Sequence, residues 1–254
     1  MDYELYHHGI LGMKWGIRRY QNKDGSLTAA GRKRYGISKE ANNILRSVSK
    51  RDQLYEKESG TYGKKRSDLG DKIRKENATI LRNVLSKDSD DVQAFRQTLN
   101  QGRELSKQED ALLEEIYNNP KKLEKWTREY VDWSWDRKAQ RYKDLYESKE
   151  QYFEEFNREK DGSIDAHDDL LSYIRSTDPK IKSIDDSVMD SYYKALNNDL
   201  PKVVESVMGK ARNLPINSLP RNNSTRVESI IKSIAEDKIY MHMVDDVPID
   251  YWLK

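Results

Sequence analysis

From Pro120 to Lys160 the chain carries no glycine and, after Pro120 itself, no proline. Proline inside a helix removes a backbone donor and clashes with the preceding turn, and an interior glycine costs about 1 kcal/mol relative to alanine. With Trp126, Tyr130, Trp133, Tyr142, Tyr146, Phe153 and Phe156 at helical spacings, this segment predicts one continuous helix. At 1.5 Å per residue it would be roughly 60 Å long. Leu123, Leu145 and Lys149 fall on or beside the aromatic face, whereas Trp135 and Tyr152 fall off it. Such a helix packs against partners along its length.

Elsewhere the apolar positions repeat the helical period in shorter runs. Thr28 is placed to cap a short helix beginning Ala29-Ala30 that ends near Gly36, and Ser38 to cap a helix bearing Ala41, Ile44, Leu45, Val48, Leu54 and Tyr55. After Gly60-Thr61-Tyr62-Gly63, the residues Leu69, Ile73, Ile80, Leu81, Val84 and Leu85 resume the pattern up to Ser86. A helix with Val92, Phe95 and Leu99 as its stripe follows, and Asn100-Gln101-Gly102 ends it. A separate helix runs from about Ser106 to Tyr117, and Pro120 opens the next at its first position. Beyond Lys160-Asp161-Gly162-Ser163 a short helix holds Leu170, Leu171 and Ile174. After Asp178-Pro179 come helices at about 185–197 and 200–212, an extended loop over 213–220 and a last helix from Thr225 through Ile234. Ile239–Val244 has strand-like composition without a partner strand and stays open between helix and strand.

Hydrophobic and charged residues each make up 35% of the 254, with a mean hydropathy of −1.02. A typical soluble domain has roughly 45–50% apolar and 25% charged residues, so the core is thin and the helices well solvated. Twelve glycines and six prolines weigh against a loop-rich all-β fold. The expected class is mainly α, an elongated helical bundle around the helix of about 120–160, preceded by a Gly-rich basic N-terminal module. Three regions are expected: the module over 1–36, a helical body over 38–176 and a C-terminal helical region over 178–254.

The net charge of +2 gives the whole chain no strong preference for nucleic acid or membrane. The module is different, with seven bases against three acids and a net of +4, which leaves −2 for the remainder. Without cysteine there is no disulfide and no thiolate chemistry, which suits a reducing cytoplasm. No apolar run approaches the ~20 residues of a membrane span, and the acidic start Met1-Asp2-Tyr3-Glu4 lacks the basic region of a signal peptide.

Catalytic and metal motifs fare poorly. Adjacent His7 and His8 point in different directions in most backbones and have no predictable third ligand beyond Asp2 or Glu4. Asn22, Asp24 and Ser26 flank Gly25 as in a calcium loop, but with Gly25 sixth the first ligand would be Tyr20 and the twelfth Gly31. The acidic run Asp161–Asp169 has its glycine second and reads as a solvated connection. No nucleophile elbow, phosphate loop or dinucleotide fingerprint is present. Helical carboxylate pairs at i, i+3 and i, i+4 leave a cryptic metal-dependent hydrolase open, though such pairs are mostly solvated faces. The aromatic stripe of 120–160 has the chemistry to stack bases, with core packing as the commoner use. No cofactor is expected.

The run from Tyr6 to Thr28, His-His-Gly-Ile-Leu-Gly-Met-Lys-Trp-Gly-Ile-Arg-Arg-Tyr-Gln-Asn-Lys-Asp-Gly-Ser-Leu-Thr after its first tyrosine, continues with Gly31-Arg32-Lys33-Arg34-Tyr35-Gly36. It resembles an N-terminal module of tailed-phage and prophage proteins of Gram-positive bacteria, often called structural or head-associated. That resemblance covers about the first 36 residues and none of 38–254. It implies a non-enzymatic virion or assembly protein made in the host cytoplasm, acting through contact with a phage or host protein and open to oligomerisation. A phage-encoded effector or nucleic-acid-binding protein is the alternative of another class. The expected docking residues are His7, His8, Gly9, Ile10, Leu11, Gly12, Met13, Lys14, Trp15, Gly16, Arg18, Arg19, Tyr20, Arg32, Lys33 and Arg34. Glycines allow close backbone approach, Trp15 and its apolar neighbours supply anchors, and the bases form a rim that steers an acidic partner. Packing of Trp15 on the protein's own helices is the competing use.

Overall fold

The structure, a computed structural model, describes residues 20, 27–137, 139–160, 162–213, 215–216 and 225–252. Among them helix dominates, as the spacing of apolar residues requires. The chain divides into two units: residues 1–98 with 193–254, and residues 99–192. Both crossings fall inside the expected helical regions, so the first unit joins the two ends of the chain.

In the first unit, α1 (Ala29–Tyr35) starts at Thr28, whose side chain accepts from the Gly31 N–H, and stops at Gly36, which takes a left-handed φ of 63°. These are the capping residues expected from the sequence. α2 (Lys39–Glu58) is capped by Ser38, which accepts from the Ala41 N–H, and α3 (Gly63–Val84) follows the glycine-bounded turn. The two form an antiparallel hairpin, with Arg51 Nε donating to Asn77 Oδ1 at 2.9 Å and Arg66 pairing with Glu58 at 3.6 Å. α10 (Leu200–Met208) and α11 (Val227–Met243) pack on that hairpin and on each other. Ile44, Ile80, Val84, Val203 and Ile231 lie in the resulting core. α11 runs through Ile239, so the strand-like terminus is helical, its buried face formed by Ile231, Ile234, Ala235, Ile239 and Met243. The expected loop over 213–220 includes Pro215–Ile216, which pairs antiparallel with Thr225–Arg226; 214 and 217–220 lie outside the described residues.

α4 (Asp90–Tyr117) corrects one boundary. Asn100-Gln101-Gly102 does not end a helix, because the penalty of one interior glycine is smaller than the gain from burying apolar residues on both sides of it. α9 (Pro179–Lys194) begins earlier than the spacing predicts and leads into a π turn over Ala195–Asp199 before α10. Pro201 lacks the N–H that an α-helical register would need there, and the widened turn carries the chain past it. The buried Asp199 carboxylate is satisfied by the Thr98 hydroxyl, which donates to Oδ2 at 2.7 Å.

The second unit overturns the continuous helix expected over 120–160. The segment is three helices, α5 (Pro120–Arg137), α6 (Ala139–Lys143) and α7 (Lys149–Glu159), with a turn over 144–148. α5 packs on α7 and on α8 (Ile164–Thr177). The aromatic stripe is thereby buried against itself: Tyr142 and Tyr152 stack at 4.4 Å between ring centroids, and Tyr130 lies 4.7 Å from Phe156. Trp135 and Tyr152, off the stripe of a straight helix, join this cluster once the chain turns back. Ser148 caps α7 by accepting from the Gln151 N–H, while Gln151 Oε1 accepts from the Glu147 N–H at 2.6 Å. The Ser-x-x-Gln spelling of a helix start was therefore present in the sequence at the break.

Candidate interaction surface

Of the expected docking residues, His7 through Arg19 lie outside the described residues, as do Asn22, Asp24 and Ser26 of the calcium-like loop. Tyr20, Arg32, Lys33 and Arg34 are described, and they sit together at α1. The Tyr20 carbonyl accepts from the Thr28 N–H at 3.1 Å. The Arg34 guanidinium lies 4.6 Å from the centroid of the Tyr20 ring. Gly31 fits against this turn for a steric reason, since a Cβ there would lie 2.1 Å from the Tyr20 carbonyl oxygen. Leu27 is buried, and its N–H donates to Asn42 Oδ1 on α2 at 2.6 Å. The C-terminal end of the module is thus fastened to the body, with Lys33 and Arg34 exposed and Arg32 half-buried.

The second unit offers aromatic and acidic chemistry instead. Tyr130 donates to Asp169 Oδ2 at 3.1 Å, and Tyr152 contacts the Ser134 hydroxyl at 3.3 Å. Burial pushes both phenols well above the ordinary tyrosine range, neighbouring tyrosines adding to the effect and, at Tyr130, Asp169 as well. Glu109 is buried beside Arg175, whose Nε donates to Oε1 at 2.5 Å. Desolvation raises the Glu109 carboxyl above its usual range, the Arg175 guanidinium opposes it, and Asp185 and Asp110 add to the rise. These groups satisfy one another. Among the described residues no group of three or more His, Asp or Glu is placed to hold a metal ion. No helix among them is long and apolar enough to cross a membrane.

An open cavity of about 530 Å³ lies at the tip of the α2–α3 hairpin, lined by Arg51, Asp52, Tyr55, Glu58, Tyr62 and Arg66 among others. Arg51 is committed to Asn77 and to Asp52 Oδ1 at 3.1 Å, and it stacks on Tyr55. Arg66 faces Glu58.

Charge reveals what sequence reading by terminal segment missed. Residues 27–87, which hold α1, α2 and α3, contain sixteen Lys and Arg against seven Asp and Glu, a net of +9. Residues 99–192 contain sixteen against 23, a net of −7. The near-neutral total hides two opposed fields, which a window of about 60 residues would have exposed.

Residues 1–22 match a family of unknown function, DUF7211. No curated protein matches the chain. No solved structure matches it either.

Proposed function

We propose that the chain is a non-enzymatic phage virion or assembly-associated structural protein, acting through protein–protein contact with residues 6–36 as its docking element. It is made in the host cytoplasm and enters the virion through that contact. The observation that carries this reading is the anchoring of the module's end. Tyr20 is held to Thr28 and against Gly31 at the start of α1, and Leu27 bonds to Asn42 on α2, while Ile10, Leu11, Met13 and Trp15 are concentrated between glycines just upstream. A segment rich in apolar anchors that leads into a fastened turn suits recognition, and tryptophan is prominent at interface hot spots. The family match over 1–22 supports treating this stretch as a unit apart from the body behind it.

Deleting residues 1–19 from the full chain leaves the Tyr20 turn and α1 in place. Helicity and thermal stability are then compared with incorporation into particles, read by mass spectrometry of purified virions. The expected result is an intact body that no longer enters particles. Unchanged incorporation removes the docking role, and collapse of the helical signal shows that the segment is core instead.

A further inference from the structure

We infer that the exposed basic face of the first unit, centred on α3, is a sequence-independent binding surface for the phosphate backbone of double-stranded DNA. This goes beyond the docking role of residues 6–36 and does not depend on it. Lys64, Lys65, Lys72 and Lys75 are exposed, and none makes an ion pair among the described residues. Lys64 and Lys75, eleven residues apart, fall within about 20° of each other around the helix and roughly 16 Å apart along it, with Lys65 and Lys72 about 80–100° to one side and the exposed Asp68 between the two pairs, so that four lysines outnumber one acid there. Both units pair some of their bases and leave others exposed: in the second unit Lys122, Lys125, Arg128, Lys149, Arg158 and Arg175 face carboxylates while Lys121 and Lys182 make no ion pair among the described residues, and on α3 itself Arg66 and Arg74 are paired. What sets the units apart is the surplus, a net of +9 over residues 27–87 against −7 over residues 99–192.

The start of α3 runs against helix-end electrostatics. The first turn of α3 holds Lys64, Lys65 and Arg66 with no acidic residue and no side-chain cap. A helix N-terminus carries partial positive charge and favours acids, so these bases are placed against the local preference, and like charges on one face repel. A local preference broken without a compensating contact is expected at a functional site, and an external anion would supply that contact.

The nature of the surface selects among polyanions. Tyr62 is the sole large hydrophobic residue exposed within 27–87 among the described residues. A lipid surface would need an apolar helical face to insert, and an acidic protein would need buried apolar anchors to hold it. A surface of dispersed cations without such anchors suits a phosphate backbone, which carries a charge at short regular intervals and is bound by counterion release.

The full chain is titrated with a fluorescently labelled 30-base-pair DNA duplex from 50 to 200 mM salt. Each engaged base contributes about −0.9 to the slope of log affinity against log salt. With four lysines engaged, affinity falls about 150-fold over that fourfold range. Replacing Lys64, Lys65, Lys72 and Lys75 together by Gln should flatten the slope by about 3 to 4, with the thermal midpoint retained or raised. Replacing Lys121, Lys122 and Lys125 by Gln in the second unit changes total charge comparably and should leave the slope as it was. Absence of binding at 50 mM salt overturns the inference, and so does a slope that the quadruple variant leaves intact or the control variant flattens equally. Self-association at low salt, or binding to vesicles of anionic lipid, without DNA binding assigns the face to another partner and overturns it as well. Should the quadruple variant fail to fold, Lys64→Gln and Lys75→Gln singly must each flatten the slope by about 1.

Discussion

Gly31 is the position where one methyl group would cost the N-terminal module its seat. Its added Cβ would meet the Tyr20 carbonyl oxygen at 2.1 Å, and that oxygen holds the turn by accepting from Thr28. Backbone cannot swing aside as a side chain can, so Gly31→Ala should destabilise the protein by about 1–3 kcal/mol, the range of overpacking, in a urea titration. Loss of the Arg34–Tyr20 contact should accompany it. Glu109 sets a different residue-scale expectation. Its folded carboxyl is raised by burial, so the folded state holds that proton more tightly than the unfolded chain does. The stability it contributes is present below the unfolded value of 4.5 and is lost as pH rises through the raised folded value. Stability of the native protein minus that of Glu109→Gln should therefore fall as pH is raised upward from about 4, in unfolding curves measured side by side. A difference that is flat or rises with pH would show that Arg175 outweighs desolvation.

At the scale of elements, the break in residues 120–160 is the instructive case. Absence of glycine and proline says that nothing forbids a helix, which is weaker than saying that something requires an unbroken one. A straight helix would leave an aromatic stripe from Trp126 to Phe156 in need of partners, and turning back at 144–148 supplies those partners from the stripe itself. Aromatic pairs add about 0.5–1.5 kcal/mol beyond the area they bury. The local price of the turn is reduced by Ser148 and Gln151, which satisfy backbone donors at the new helix start. Ser148→Ala should lower stability by about 1 kcal/mol, as lost N-caps do, in thermal or urea unfolding. No change would mean that the aromatic cluster alone sets the turn. Ser38 and Thr28 show the same logic where it was readable, because there a capping residue coincided with a visible change of pattern. Gly102 shows the converse, a breaker overridden by the burial on either side of it.

On the scale of the whole molecule, the helical class, the caps at Thr28 and Ser38, the stop at Gly36 and the apolar faces of α2, α3 and α10 followed from the sequence alone. Each of these depends on residues within a few positions of one another, so period and capping chemistry suffice to specify them. The docking residues from His7 to Arg19 were likewise named from sequence, and their part of the chain lies outside the described residues. Only tertiary structure decided that the two ends of the chain build one unit, with α10 and α11 packed on the α2–α3 hairpin. It also folded the aromatic stripe back on itself, whereas the opposed charges of residues 27–87 and 99–192 were countable in the sequence. Both of these tertiary outcomes depend on contacts between residues as much as a hundred positions apart, such as Thr98 with Asp199. Their energies are gained only when distant apolar faces find each other, and no local window records which faces will meet.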